Sequence, residues 1–253
     1  MQISQLPTKL AKEPLLEAVF EMRFVSSGQA STILPGILFR ALGEGKALQM
    51  TRLPAADLPL QFRESDAAMR FAALVRLEWG QFVVLLSDAS VGVACRIPYP
   101  GWAAFKPAIL KVAGIVAESG IVQKIERYSL KYVDMIPRQS VRDQVRAFDW
   151  EVRLGSHRLM AESAIVRVEM VRGGVTHAVQ ILTAAQAHQG PGTEVRHGAV
   201  IDVDSLVGVD TSELVQFLSE LPVRIDDLHH ANKTVFFECL TQEVLNELEP
   251  KYE

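Results

Sequence analysis

Cysteine is scarce in this chain, with only Cys95 and Cys239 among 253 residues. They stand far apart, with no CxxC and no paired spacings, which excludes a disulfide framework and a cysteine-based zinc site. Both lie in apolar surroundings, so buried free thiols and a reducing compartment are expected. No apolar run approaches the length of a membrane span. The opening residues MQISQLPTKLAKEP also lack the apolar stretch that a secretory signal requires. The expectation is a cytoplasmic protein without membrane association.

Catalytic signatures are equally sparse. The sequence has no GxSxG elbow, no GxxxxGK[ST] phosphate loop, no GxGxxG turn, and no HxH or HExxH pair, so the usual hydrolase, nucleotide and zinc chemistries have no motif to stand on. His157, His177, His188 and His197 are scattered over strand ends and loops. Gly173-Gly174 and Gly190-Pro191-Gly192 read as turns. No cofactor and no metal are expected, and the chain is read as non-enzymatic.

Charge of one sign is never concentrated. Lys and Arg number 26 against 30 Asp and Glu, a net of −4. Residues 1–138 carry 16 Lys and Arg against 12 acids, and residues 139–253 carry 10 against 18. Without a basic block interleaved with aromatics, no strong nucleic-acid signature results. Two halves of opposite sign suit docking of a protein partner or self-association as a homodimer. Trp79, Tyr99, Trp102 and Phe105 gather near one strand-to-helix passage, where a stacking platform for bases competes with aromatics that cap the core.

Hydrophobic residues make up 49% and charged residues 22%, the balance of a globular chain with a sizeable core. Ala18, Phe20, Met22 and Phe24 alternate with Glu17, Val19, Glu21 and Arg23, the pattern of a half-buried strand. The spacing predicts a helix over 31–42, a meander over 70–77, 82–86 and 91–97, and a helix over 102–118. At the centre, Glu126–Pro137 reads as a strand, with Leu130, Tyr132, Asp134 and Ile136 on one face and Ser129, Lys131, Val133 and Met135 on the other. Strands follow over 147–154, 161–171, 176–184 and 199–203. Helices are predicted over 211–221 and, beyond Pro222, from about Asp226 to Leu248. The sum is an α+β fold, largely antiparallel, with helices packed on one face and two related halves, 1–138 and 139–253, which one continuous domain would also accommodate.

Two groups of residues carry candidate chemistry. If the first and central strands are neighbours, Glu17, Glu21 and Arg23 lie opposite Arg127, Ser129 and Lys131. Such cross-strand pairs contribute about 0.2–1 kcal/mol each and fix register; a charged groove for a ligand is the sharper reading of the same residues. Asp202 and Asp204 share one strand face, and Asp226, Asp227, His229 and His230 cluster at a helix start. Together Asp202, Asp204, Asp226 and His229 would suit a divalent metal in a hydrolase or nuclease. Helix capping and solvent-facing strand acids account for the same positions. A small-ligand site between sheet and helices is a further alternative.

The blocks PLLEAVFEMRF, RYSLKYVDMIP and DDLHHANKTVFFECLTQEVL resemble, in order and spacing, the three signature blocks of a sporadically distributed bacterial family to which no activity, cofactor or catalytic residue is assigned. The family's central block reads RYIN, whereas here Val133 and Asp134 follow Tyr132. The resemblance implies one shared architecture. The family's distribution implies an accessory role in a bacterial defence or toxin–antitoxin system.

Overall fold

The computed structural model describes residues 6–44, 48–66, 69–187, 195–210 and 213–252. In chain order the elements are β1 (Lys9–Leu10), β2 (Leu15–Ser26), α1 (Ala30–Gly43), β3 (Gln49–Arg52), a 3-10 turn over Pro54–Asp57, α2 (Leu60–Ser65), β4 (Val75–Trp79), β5 (Phe82–Leu86) and β6 (Ser90–Cys95). Then come α3 (Trp102–Glu118), β7 (Val122–Pro137), α4 (Val141–Arg146), β8 (Arg153–Leu154), β9 (His157–Arg158), β10 (Ile165–Arg172), β11 (Val175–Ala187), β12 (Arg196–Gly208), α5 (Leu214–Cys239), α6 (Gln242–Glu247) and β13 (Pro250–Lys251). Among the described residues no helix is long and apolar enough to cross a membrane.

The chain forms two units, each assembled from separated segments. The first comprises Met1–Glu17, Lys131–Ser205 and Leu228–Glu253, and the second Ala18–Leu130 and Leu206–Asp227. Strands β2, β7 and β12 and helix α5 each give residues to both.

In the first unit the strand order is β10-β11-β12-β7-β2. Strands β10 and β11 form an antiparallel hairpin in which Arg172 pairs with Val175 across Gly173 and Gly174. Both glycines have positive φ, 57° and 81°, which a two-residue hairpin turn of this hand demands and which glycine adopts without a Cβ penalty. The core unites Ile136 of β7, Val179 and Ile181 of β11, Ala199, Ile201 and Val203 of β12, and Val235, Phe236 and Phe237 of α5. Gly198 is fixed by close approach, because a Cβ there would fall against the Ile136 carbonyl and lie 3.1 Å from Pro137 Cα.

In the second unit the order continues β2-β6-β5-β4-β3, antiparallel throughout. Alternation sets the burial of β2: Ala18, Phe20, Met22 and Phe24 are buried, while Val19, Glu21 and Arg23 between them are half-buried. Helices α1 and α3 bring Leu34, Leu38, Phe105, Ile109 and Val112 into the interior. Trp79, Phe82, Tyr99 and Trp102 close on Phe105 by a chain of ring contacts 5.5–6.3 Å between centroids. These aromatics therefore cap the core.

The α+β architecture, the antiparallel sheet and the central strand agree with the sequence, and α3 coincides with its predicted span. Elsewhere the structure departs from it. The predicted break at Pro222 is absent, because Phe217, Leu221, Ile225, Leu228, Asn232 and Val235 keep one buried stripe in phase across it. Packing along that stripe outweighs the local cost of a helical proline. The predicted continuation to Leu248 stops at Cys239, where the backbone turns to pair with the segment after α4: Phe148 bridges Leu240, and Thr241 N donates to Ala147 O. That pairing replaces the predicted strand over 147–154. Its N-terminal part is only the bridge, and its end is the two-residue pair β8–β9. Between α1 and β4, where Gly, Pro and Asp are frequent in the sequence, the chain forms β3, the 3-10 turn and α2. His188, Gly190, Pro191, Gly192 and Thr211 lie outside the described residues.

Candidate functional site

The charged face of β2 is held in the second unit by one pair along the strand and one across to β7. Glu21 Oε1 accepts from Arg23 Nε at 2.5 Å and from Arg127 Nη2 of β7 at 3.4 Å. The Arg23 guanidinium stands 3.6 Å from the centre of the Phe71 ring, a stacking geometry that holds the cation in place. Arg127 Nε is buried without a hydrogen-bond partner. One carboxylate thus serves two guanidinium groups, each about a quarter exposed.

Lys131 has a different partner. In the first unit its Nζ meets Asp202 Oδ2 of β12 at 3.0 Å. Burial alone would lower the Lys131 pKa, but the hydrogen bond and charge of Asp202, with Glu17 and Asp204 adding, carry it above the ordinary lysine value. Asp202 Oδ1 is buried without a hydrogen-bond partner. Of the five residues on the expected binding face, Glu21, Arg23 and Arg127 converge directly, and Glu17 contributes its charge beside the Lys131–Asp202 pair.

The four residues of the metal reading are each otherwise engaged. In the second unit Asp226 accepts from Trp102 Nε1 at 2.9 Å and from Lys106 Nζ at 2.5 Å, tying α5 to the first turn of α3. In the first unit His229 Nδ1 lies 3.2 Å from the Tyr132 hydroxyl, Asp202 holds Lys131, and the charge of Asp204 acts on Lys131 and Arg167. Among the described residues no group of three or more His, Cys, Asp or Glu is positioned to hold a metal ion.

Sequence reading passed over two buried features of the first unit. The first is Asp134, whose carboxyl is pushed up to about 8, chiefly by burial and then by the charges of Glu13 and Asp202. The signal was present, since an acid at an apolar-face position of a central strand has to lose its charge or find a partner. The second is a polar trio beneath α5. Asn232 Nδ2 donates to Val203 O at 2.8 Å and to Ser205 Oγ at 2.9 Å, and Ser205 Oγ stands 2.7 Å from His177 Nδ1. Burial lowers the His177 pKa, as does the charge of Arg172. A neutral imidazole accepting from Ser205 fits both facts. The pair has the elements of a nucleophile and base, but His177 is 1% and Ser205 0% exposed, so no substrate reaches it.

Each unit also carries a cleft. One of about 480 Å³ in the second unit is lined by Ser31, Thr32, Met50, Arg52 and Arg63. Its polar groups are satisfied internally: Asp88 accepts from Arg63 Nη1 at 2.7 Å and from Ser31 Oγ at 2.6 Å, and Arg52 donates to Asp57 and to Ala56 O. The other, about 320 Å³ in the first unit, is lined by Phe148, Trp150, Arg158 and Met160. Burial pushes the Cys95 thiol up to about 12 and, first among its causes, the Cys239 thiol up to about 11. Neither is a reactive thiolate at neutral pH.

No protein-family model and no curated protein matches this chain. The polar residues that sequence reading marked for chemistry are held in pairs and networks of the fold.

Proposed function

We propose that the protein is a non-enzymatic binding and assembly module, working in the cytoplasm through contacts with protein, including a second copy of itself. The observation that carries this reading is the edge strand β10. Eight residues long and last in the strand order, it presents Ile165, Val168 and Val171 at 71%, 48% and 72% exposure. A long edge with exposed apolar side chains is a template for strand addition. The engaged state of Glu21, Asp202, Asp226 and His229 supports the same reading, as do two free cysteines with raised pKa values.

The test is affinity capture of the full chain from its host at low and moderate salt, with light scattering on the purified protein. A stoichiometric protein partner, or self-association, is the expected result. A chain that returns alone and monomeric at both salt concentrations overturns the proposal.

A further inference from the structure

We infer that β10 is a self-complementary dimerisation strand, pairing antiparallel with β10 of a second copy in the register that sets Val168 opposite Val168. The inference rests on the assembly reading and names its surface and geometry.

The backbone fixes which groups are available. Thr183 N donates to Ala164 O at 3.0 Å, continuing the register in which Ile165 faces Leu182. Even-numbered residues of β10 therefore turn their N–H and C=O groups toward β11. Ile165, Arg167, Glu169 and Val171 turn theirs to the open side, where no strand is paired among the described residues. Two copies related by a twofold axis must align these outward groups with each other. That restricts the axis to pass beside a residue and forbids registers centred between residues.

Side chains then choose among the allowed registers. An axis at Arg167 sets two guanidinium groups against each other, and an axis at Glu169 does the same with two carboxylates. With the axis at Val168, Arg167 faces Glu169 of the second copy and Glu169 faces its Arg167. On the same face Ile165 meets Val171 at both ends. On the opposite face Val166 meets Met170 about the central Val168 pair, and Met170 already packs against the core of the first unit. The strand sequence IVRVEMVR is thus complementary to its own reverse over seven residues, Ile165 to Val171. In the single chain Arg167 and Glu169 satisfy each other along the strand at 2.6 Å, with side chains 56% and 61% exposed. Pairing exchanges that contact for two cross-strand ones and covers the exposed Ile165, Val168 and Val171. The same charges discourage strands of other sequence from adding to this edge.

The experiment is light scattering of the full chain over a dilution series, for wild type, Glu169→Arg, and the double exchange Arg167→Glu with Glu169→Arg. Wild type should approach twice the protomer mass as concentration rises. Glu169→Arg creates two like-charge pairs in one step and should weaken the dimer roughly tenfold or more. The double exchange restores complementarity and should restore the dimer. Both positions are exposed, so unchanged circular dichroism is expected, and amide exchange at Ile165, Arg167, Glu169 and Val171 should slow with wild-type concentration. A wild-type dimer indifferent to Glu169→Arg, or one that the double exchange fails to rescue, overturns the β10 register while leaving the assembly reading in place. So does a monomer that captures a stoichiometric partner. A monomer that captures nothing overturns both.

Discussion

Asp134 is the residue whose chemistry most departs from its type. Its carboxyl, pushed up to about 8 from an ordinary 3.8, holds a proton in the folded chain that the unfolded chain releases across that window. Stability therefore falls as pH rises from about 4 toward 8. A neutral acid and an amide are close in shape. We expect Asp134→Asn to leave the fold intact and to gain at least about 1.4 kcal/mol over wild type at the alkaline end, the equivalent of one pKa unit. Urea midpoints on either side of the window check this. Equal pH dependence in both proteins would show that Asp134 is ionised and compensated in the folded state.

At the scale of elements, α5 is held to its sheet by polar as well as apolar contacts. Asn232 reaches the Val203 carbonyl and the Ser205 hydroxyl from the buried stripe of the helix. Asn232→Ala strands those acceptors in the interior and should lower stability by about 1–3 kcal/mol, measured by urea unfolding. Thr234→Ala, at a half-buried position bonded to His230 O within the helix, is the control and should stay within about 0.5 kcal/mol. A negligible effect at Asn232 would mean that water replaces its bonds. His177 in the same trio works against Asp134 in pH: its lowered pKa favours the neutral ring, so its share of stability is present above the ordinary value of 6.5 and lost as pH falls through the folded value.

Element scale is also where sequence patterns proved most and least legible. The alternation of β2 and β7 and the span of α3 were readable because each repeats one burial period without interruption. At Pro222 local preference favours a break, but the helix is decided by the stripe running from Phe217 to Val235. At Leu240 the conflict runs the other way: periodicity continues through it, but a long-range backbone pairing with Phe148 ends the helix.

For the whole molecule, the competing metal reading makes an opposite forecast to assembly. A divalent cation bound by the folded chain alone would raise its stability by mass action. Asp202 and Asp226 are occupied by Lys131 and by Trp102 with Lys106, so excess Mg²⁺ or Mn²⁺ should leave the thermal midpoint unchanged. A rise that Asp202→Asn abolishes would return the Asp202 region to candidacy as a metal site.

The sequence by itself determined the α+β class, the strand faces and the helix stripes, because side-chain periodicity is a local property that burial of one face enforces. It also presented every charged residue that matters here. Only the tertiary structure decided their partners: Lys131 with Asp202 rather than a carboxylate of β2, Asp226 with α3, Asn232 with Ser205 and His177. Partner choice depends on which strands become neighbours and how deeply each group is buried, and both are set by contacts between residues far apart in the chain.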